Sequence, residues 1–418
     1  VLGIINYVVW SDVFLCPDCQ KELIFWNIAV QGDTVNKIFS CNHCNVRLQK
    51  NQLDREWITI KDDKLNEIIK QPKQVPVLIS YTVQNMGKQK RYEKIPDISD
   101  LELLKKINNM KNNSWFPVNQ IPMGHNTQQP LVSHNFSHVH LFYTKRNLLI
   151  LSKFFEKINQ CHDISIKSHL LSIFTGILLI ASQMYKWTGK KPRGILTGTL
   201  YVSALRYEFE VMSMFKRKSN AIMKINHVGN NQNTIITTQS STKIPQISNN
   251  SIDYIFTDPP FGENLMYSEL NFIQESWLKV FTNNQKEAIM NKSQKKGLVE
   301  YQELMEQAFK ENYRILKPGR WMTVVFHNSQ NKVWISIQES LERAGFVVSD
   351  TRIMNKKKST TKQLTYTLGA VDKDLVISAY KPSGGLDEYF GGLTTGNEEG
   401  VWKFLDVHLK QLPVFVEK

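Results

Sequence analysis

The stretch that decides the fold class is Tyr254-Ile255-Phe256-Thr257-Asp258-Pro259-Pro260-Phe261. Its first four residues are apolar, aromatic or β-branched, and they predict a short buried strand that ends at the double proline. Each proline fixes its own φ angle and restricts the residue before it, so the loop after the strand is expected to be nearly rigid. Open α/β sheets place their active sites just beyond the carboxyl ends of strands, which makes this loop the first candidate site.

Helical and strand patterns alternate downstream of this loop. Apolar residues recur at helical spacing in three segments and at strand spacing in three others. The predicted elements are helices at 272–281 and 300–316, a strand at 321–327, a helix at 333–344, and strands at 346–352 and 375–380. This alternation predicts a largely parallel sheet with helices on its faces, which is a Rossmann-like α/β fold.

The loop itself places a carboxylate, a rigid backbone carbonyl and an aromatic ring in adjacent positions. The exocyclic amine nitrogen of a nucleobase is a poor nucleophile because its lone pair is delocalised into the aromatic ring of the base. Asp258 and the carbonyl of Pro259 can both accept hydrogen bonds from such an amine, which favours a tetrahedral nitrogen with an available lone pair. Pro260 stiffens the loop, and Phe261 offers a face on which a base can stack. The alternative is an ordinary Asp-Pro-Pro turn after a strand.

The residues around the loop resemble a known family. Segments 251–254 and 265–272, and the turn Lys317-Pro318-Gly319 before a strand, are similar to the motif region of amino-methyltransferases that act on DNA adenine or cytosine. From about residue 6 to about residue 416 the chain resembles the zinc-ribbon-containing adenine-specific DNA methylases. The resemblance implies an S-adenosylmethionine-dependent methyltransferase sheet in which residues 258–261 are catalytic. The target would be the N6 amine of adenine in double-stranded DNA, reached by flipping the base out of the duplex.

Two alternatives to adenine methylation stay open. In the superfamily, Asp or Asn at the first motif position usually accompanies adenine and Ser usually accompanies cytosine. Asp258 therefore favours adenine over the N4 amine of cytosine. The other alternative is a catalytically incomplete DNA-binding fragment or subunit, which would hold DNA without methyl transfer.

Two cysteine pairs near the start of the chain predict a zinc ribbon. Cys16-Pro17-Asp18-Cys19 and Cys41-Asn42-His43-Cys44 each present two thiolates from a tight turn, with twenty-one residues between them. Tetrahedral Zn²⁺ takes four such ligands, and four protein ligands leave no open position, so the metal is predicted to be structural. The alternatives are a redox Cys-x-x-Cys motif and free buried thiols. His43 is interpreted as a bystander.

A site for the methyl donor is not evident in the sequence. The resembled family holds S-adenosylmethionine with a glycine-rich loop after the first strand and an acidic residue after the second. Neither Gly194 to Gly198 nor Gly384-Gly385 lies in that context, and Val1 directly precedes the ribbon. We therefore expect that the N-terminal cofactor half is missing, and that a missing segment or a second chain supplies the cofactor loop beside Asp258. The chain alone is then expected to bind the donor weakly and to be inactive.

Bulk properties indicate a soluble, cytoplasmic protein with a polyanionic partner. The formal net charge is +14 and the pI is about 9.3, although a general abundance of lysine would have the same effect. The longest apolar stretch, 170–184, is shorter than the roughly 20 residues of a membrane span and is interpreted as a core helix. Candidate phosphate contacts are the basic segments 292–296 and 356–358 and the helix start at 143–146; the alternatives are solvated loops and an ordinary helix start.

The sequence is divided into four predicted parts. In order, they are a zinc ribbon with flanking strands at 1–60, an irregular α+β insertion and candidate DNA-recognition region at 61–145, a helical region with a polar linker at 146–250, and a catalytic half-domain at 251–418.

Overall fold

The structure is a computed structural model that describes residues 3–85, 88–189, 194–224, 233–328, 330–355, 373–383 and 402. The chain divides into two units. The first unit comprises residues 1–232 and 267–282, and the second comprises residues 233–266 and 283–418. The chain therefore leaves the second unit after the Asp-Pro-Pro-Phe loop, contributes one helix to the first unit, and returns.

The first unit is built on an antiparallel sheet around one long strand, β1 (Ile4–Leu15). Residues on both faces of β1 are buried, as expected for a central strand. The other strands of this unit are β2 (Glu22–Ile24), β3 (Val30–Gln31), β4 (Thr34–Val35), β5 (Ile38–Ser40), β6 (Arg47–Gln49), β7 (Asp54–Arg55), β8 (Trp57–Asp62), β9 (Glu67–Pro72), β10 (Gln74–Asn85), β11 (Lys88–Lys94) and β12 (Leu205–Phe209). The sheet order is β11-β10-β1-β12, and β2 and β7 pair with the far end of β1.

The first unit contains seven described α-helices, of which the last four bury residues in one apolar core. The helices are α1 (Phe25–Ala29), α2 (Ile98–Asn108), α3 (Gln128–His134), α4 (Lys145–Asn159), α5 (Ile164–Leu178), α6 (Val211–Met223) and α7 (Tyr267–Leu278). The ring of Trp277 on α7 lies 5.7 Å from that of Phe155 on α4 and 5.3 Å from that of Phe174 on α5. Of the stretch 170–184, the predicted core helix, residues 170–178 are helical and bury Ile173, Phe174, Ile177 and Leu178, whereas residues 179–184 lie beyond the end of α5. Within the described ranges, no helix has the length and apolar character needed to cross a membrane.

The second unit is an α/β unit with a four-stranded sheet. Its elements are β13 (Ile252–Thr257), α8 (Leu298–Ile315), β14 (Leu316–Phe326), α9 (Asn331–Arg343), β15 (Val347–Asn355) and β16 (Lys373–Tyr380). The sheet order is β13-β14-β16-β15. The buried faces of α8 and α9 pack in one cluster with alternate residues of β14, among them Met322, Val324 and Phe326. The predicted strands and helices are confirmed here to within a few residues.

Two sequence predictions about this sheet are wrong. It is not largely parallel: β13 and β14 are parallel, but β16 runs antiparallel to both β14 and β15. The sequence predicts no helix between the last two strands, and strands joined without a crossover helix commonly pair antiparallel. Nor is β13 a buried strand. Among the described residues it pairs with β14 alone, and Tyr254 and Phe256 are 54% and 64% exposed.

Candidate active site and cysteine cluster

The Asp-Pro-Pro-Phe loop lies directly after the carboxyl end of β13. Because β13 is parallel to β14, the carboxyl ends of both strands meet at the same edge of the sheet. Asp258 is exposed at this edge, Pro259 is buried, and Pro260 and Phe261 are half-buried. The structure thus places the predicted catalytic residues where α/β sheets carry their sites.

Side chains from two neighbouring elements hold the loop in place. The hydroxyl of Tyr301, on α8, donates a hydrogen bond of 2.7 Å to the carbonyl of Pro260. Burial raises the pKa of Tyr301 well above its ordinary value, so the hydroxyl keeps the proton that it donates. Asn328, just after β14, donates from Nδ2 to the carbonyl of Phe261 at 3.0 Å. Two residues after Phe261, the Glu263 side chain accepts a hydrogen bond of 2.9 Å at Oε1 from Gln330 Nε2.

Gly262 allows this close attachment. Its φ angle is +71°, a conformation that a residue with a side chain rarely adopts. A Cβ atom at this position would meet Asn328 Nδ2 at 3.1 Å and Met290 Cε at 3.2 Å. The carbonyl of Gly262 also accepts a hydrogen bond from the backbone N–H of Met290. The glycine after the motif is therefore required by both its backbone angle and its neighbours.

Phe261 packs on the end of β14. Its ring lies 5.4 Å from that of Phe326, edge to face, and 6.1 Å from that of His327. His327 Nδ1 in turn lies 2.9 Å from Asp374 Oδ1 on β16. The ring is half-buried, so its position is fixed while part of its surface remains accessible.

The hydrogen bonds of the loop leave one carbonyl for a ligand. The carbonyls of Pro260, Phe261 and Gly262 accept hydrogen bonds from within the second unit. No donor within the described residues is bonded to the carbonyl of Pro259. A carboxylate at Asp258 and this adjacent carbonyl can together accept the two N–H bonds of one amine.

This segment of the chain has known relatives. Residues 252–383 match the DNA methylase family of N6/N4 type. The match confirms, over this methylase segment, the resemblance predicted from the residues that flank the loop. No protein of curated function matches the chain.

Solved structures also share similarity with part of the chain. A protein of Thermus thermophilus, provisionally described as a DNA modification methylase and complexed with S-adenosyl-L-methionine, is 16% identical with a TM-score of 0.21. The match covers 35% of this chain and 54% of that protein, so the chain spans about half of its length. A SAM-dependent methyltransferase of Methanosarcina mazei is 11% identical with a TM-score of 0.23, over 40% of this chain and 76% of that one. Scores this low establish no common fold.

Sequence reasoning did not find the residues that support the loop in the methylase segment. Tyr301 lies on the buried face of an amphipathic helix and has the pattern of an ordinary core residue. Asn328 and His327 had a usable signal, because they lie at and just after the end of a predicted strand that is parallel to β13, at the same sheet edge. The hydrogen bond of Asn328 and the ring contact of His327 with Phe261 depend on the pairing of distant segments, which the sequence pattern alone does not give.

The structure brings the four predicted zinc ligands together. The sulfur atoms of Cys16, Cys19, Cys41 and Cys44 all lie within 4.8 Å of one another. The pairs Cys16–Cys44 and Cys19–Cys41 are each 3.8 Å apart. A tetrahedron of thiolates at the usual Zn–S distance of about 2.3 Å has sulfur atoms about 3.8 Å apart, so the four side chains fit this metal.

Backbone geometry favours the thiolate form of Cys41. The residue after each pair, Gln20 and Asn45, has a positive φ angle of 56° and 61°, so the two turns are alike. The N–H groups of His43 and Cys44 point at Cys41 Sγ, at 3.3 and 3.5 Å. Although burial opposes it, these bonds lower the pKa of Cys41 to about 6. The ring of His43 lies near the carbonyl of Glu22 and is not part of the cluster, as predicted.

The other candidate residues are mostly used within the fold. Thr144 caps α4 and donates to Glu208, which also pairs with Arg146 at 2.6 Å. Lys296 donates to two backbone carbonyls of its own loop, whereas Lys292 and Lys295 are exposed. The segments 356–358 and 384–385 lie outside the described residues. Among the described residues, Gly194 to Gly198 follow no parallel strand.

Proposed function

We propose that the chain is an S-adenosylmethionine-dependent DNA methyltransferase that modifies the exocyclic N6 amine of adenine. The observation that carries this proposal is the anchored Asp-Pro-Pro-Phe loop at the carboxyl end of β13, within a segment that matches the DNA methylase family. Hydrogen bonds from α8 and from the residue after β14 to two successive carbonyls hold the loop, and with it the acceptor groups of Asp258 and Pro259, in a fixed position. Fixed acceptors at the point where charge develops are the largest usual source of rate acceleration.

Asp258 and the carbonyl of Pro259 would hold the target amine. Both accept hydrogen bonds from its N–H groups, which localises the lone pair on nitrogen and directs it away from the two acceptors. The proton that the amine loses during the reaction passes towards the Asp258 carboxylate. S-adenosylmethionine, when bound, supplies the methyl group. We assign no residue to its adenosine part, because the described residues include no glycine-rich turn after a parallel strand.

Double-stranded DNA is the proposed substrate. The amine of a paired base is unreachable within the duplex, so the base must leave the stack. Phe261 lies in the loop beside the two acceptors, and the accessible part of its ring would stack on the flipped base. The second candidate is methylation of the N4 amine of cytosine, for which the same acceptors serve; Asp at position 258 favours adenine.

We also propose one structural Zn²⁺ held by Cys16, Cys19, Cys41 and Cys44. The fit of the sulfur positions to a tetrahedron supports the metal, and the thiolate-stabilising N–H groups at Cys41 support its role as a ligand. Four protein ligands leave no position for a substrate, so the metal would stabilise the fold.

Substitutions of Asp258 test the proposal. On DNA that contains the recognition sequence of the protein, Asp258→Ala is expected to lower turnover by about 10²-fold or more, because one fixed hydrogen-bond acceptor is lost. Asp258→Asn is the matched control: its side-chain oxygen still accepts a hydrogen bond, so it should retain more activity than Asp258→Ala. DNA affinity should change little in both.

Nucleoside analysis of the product identifies the target base. N6-methyladenine is expected. Detection of N4-methylcytosine would show that cytosine, and not adenine, is the target base. Normal turnover in Asp258→Ala would show that the carboxylate takes no part in the reaction.

A further inference from the structure

Helix α6 of the first unit presents a face of cations that the proposed chemistry does not use. Positions Ser213, Arg217, Asn220 and Lys224 recur at helical spacing and share one side, with Lys216 beside them. All five are exposed, whereas the helix buries Val211 and Met214 on its other side. The helix contains no acidic residue. The neighbouring positive charges on such a face repel one another, and a bound anion relieves this repulsion.

These residues line a groove of about 520 Å³, here called the α6 groove, formed by Ser213, Lys216, Arg217, Asn220, Ala221 and Lys224. Ser213 and Arg217 also line a second groove of about 390 Å³, which reaches Arg91 on the edge strand β11. The two grooves are therefore neighbours that share two lining residues. Together they carry four cations, with Ser213 and Asn220 as additional hydrogen-bond donors.

Few carboxylates face this surface. Glu210 lines the second groove, but its oxygens accept hydrogen bonds from the N–H groups of Met212 and Ser213 at the start of α6. Glu93 accepts a hydrogen bond from the hydroxyl of Tyr7. Neither lies within ion-pair distance of the four cations, so the net charge of the surface stays positive.

The described arginines of the first unit differ in whether they have an ion-pair partner. Arg55 and Arg206 pair with Asp12, and Arg146 pairs with Glu208. Lys216, Arg217, Lys224 and Arg91 pair with no carboxylate among the described residues. Other exposed cations of the unit are also unpaired, but these four lie together along two neighbouring grooves, where one extended anion can contact several of them.

Arg91 is held in position although it is exposed. Its Nε donates to Ser80 Oγ at 2.7 Å, and its guanidinium lies 5.0 Å from the ring of Tyr7. Both contacts leave further N–H groups of the guanidinium available, and a planar guanidinium binds phosphate with two hydrogen bonds at once. Arg91 thus extends the surface of α6 onto the sheet edge with a preorganised phosphate ligand.

We infer that the α6 groove and Arg91 form a binding surface for the phosphate backbone of DNA. The inference rests on the proposed function for its partner. Arg217 and Lys224 are about 11 Å apart along the helix axis, which spans about three base steps at roughly 3.4 Å each. Ser213 and Asn220 lie between the cations as hydrogen-bond donors, which suits the phosphate oxygens of a DNA strand. A helix that lies on a membrane needs an accessible apolar face, whereas α6 buries Val211 and Met214 on its other side.

The test is the affinity of the whole protein for a short mixed-sequence DNA duplex, measured over a range of salt concentrations. The combined variant Lys216→Gln, Arg217→Gln, Lys224→Gln is expected to bind about ten-fold or more weakly at physiological salt. The slope of log affinity against log salt should decrease by about 0.9 per lost phosphate contact. The substituted side chains are exposed, so the variant should keep the circular dichroism of the parent protein.

The matched control removes the same charge from exposed positions on other parts of the first unit. Lys21→Gln, Lys37→Gln, Lys157→Gln should leave both the affinity and the salt slope nearly unchanged, because these lysines lie outside the α6 groove and outside the segments predicted to contact DNA. Equal losses in the two variants, or none in the α6 variant, would overturn the inference alone. Failure of the parent protein to bind DNA would overturn the proposed function with it. Loss of binding to phosphatidylserine vesicles, with DNA affinity intact, would assign the surface to membranes instead.

Discussion

At the scale of single residues, Phe261 combines two tasks that different substitutions can separate. Its ring packs edge to face on Phe326, and in the proposed function its accessible part stacks on a flipped base. Phe261→Leu keeps most of the packing volume, which costs less than about 1.5 kcal/mol of folding stability. It removes the aromatic face, and stacking is worth about 1–3 kcal/mol per base. The expected result is a fall in kcat/KM on DNA with little change in Tm.

Phe261→Tyr is the control for this substitution, because it keeps the aromatic face. Its kcat/KM should stay close to that of the parent protein. Equal activity of the leucine and tyrosine variants would mean that the ring has only a packing task.

A second residue-scale feature is the buried charge cluster around Asp12 in the first unit. Its carboxylate lies 3.0 Å from Arg206 Nη1, 3.1 Å from Arg55 Nε and 3.2 Å from His134 Nε2. Asp12, Arg206 and His134 are fully buried or nearly so. Although burial alone would raise it, Arg206 and His134 hold the pKa of Asp12 below its ordinary value. Burial is the main cause that lowers the pKa of His134 to about 4.

The lowered pKa of His134 predicts an acid-sensitive first unit. The unfolded chain binds a proton on this imidazole below about pH 6.5 and the folded chain only below about pH 4, so stability is complete above pH 6.5 and is lost as the pH falls. Between about pH 7 and about pH 5 the loss should be about 2 kcal/mol, measured by urea denaturation. His134→Gln should remove most of this difference.

His140→Gln is the comparison. In the parent protein burial also lowers the pKa of His140, whose imidazole contacts Asp62 at 2.7 Å. Part of the pH dependence should therefore persist in His134→Gln and vanish only in the double variant His134→Gln, His140→Gln. A pH difference unchanged in His134→Gln would show that its imidazole titrates normally in the folded protein.

At the scale of elements, α8 determines the position of the loop through one hydroxyl. Tyr301→Phe keeps the buried ring and removes the hydrogen bond to the carbonyl of Pro260. Leaving that carbonyl without a donor should lower the free energy of unfolding by about 1 kcal/mol. The loosened loop should lower kcat by about ten-fold, since small displacements of catalytic groups are costly, while KM for DNA changes little.

Tyr254→Phe makes the same chemical change on β13, where the hydroxyl donates to Thr323 on the exposed strand face. It should leave kcat unchanged. If Tyr301→Phe also left kcat unchanged, the loop would be held without this bond.

The elements of the second unit were largely predictable, but their pairing was not. Leu298–Ile315 and Asn331–Arg343 have strong helical spacing, so local patterns suffice to place them. The exposure of Phe256 was not predictable, because an apolar run has the same appearance in a central strand and in an edge strand. The contact of Asn328 with Phe261 depends on residues sixty-seven positions apart, and no periodicity encodes it.

At the scale of the whole molecule, the order of the sequence does not follow the order of the units. Helix α7 follows soon after the Asp-Pro-Pro-Phe loop, yet its Ile273 and Trp277 belong to the core of the first unit. Its Glu269 is buried and accepts a hydrogen bond from the N–H of Asn126. Local patterns predicted the helix but could not assign its partners, since an amphipathic helix shows only that one face is buried. The four cysteines were the exception, because ligand spacing specifies a contact between distant segments.

The cysteine cluster has consequences beyond its own loops. Strand β1 runs from the six-stranded sheet, where it pairs with β10 and β12, to Leu15, one residue before Cys16. Cys16 and Cys41 are buried in the same apolar cluster as Phe25 and Phe39. A metal that joins the two turns therefore fixes the end of the central strand as well as the ribbon.

This connection predicts that zinc stabilises the first unit as a whole. Metal analysis of the purified protein should find one zinc per chain. Cys16→Ser combined with Cys41→Ser should abolish the zinc and lower the Tm, because apparent binding free energies of structural zinc reach about 10–16 kcal/mol and are coupled to folding. Cys161→Ser is the matched control: this cysteine is half-buried, lies at the end of α4 outside the cluster, and should keep both zinc and Tm. Full zinc content in the double variant would exclude the four-cysteine site. Loss of zinc without a change in Tm would mean that the metal stabilises only the ribbon. Removal of a metal that fixes the end of β1 must weaken the sheet around this strand.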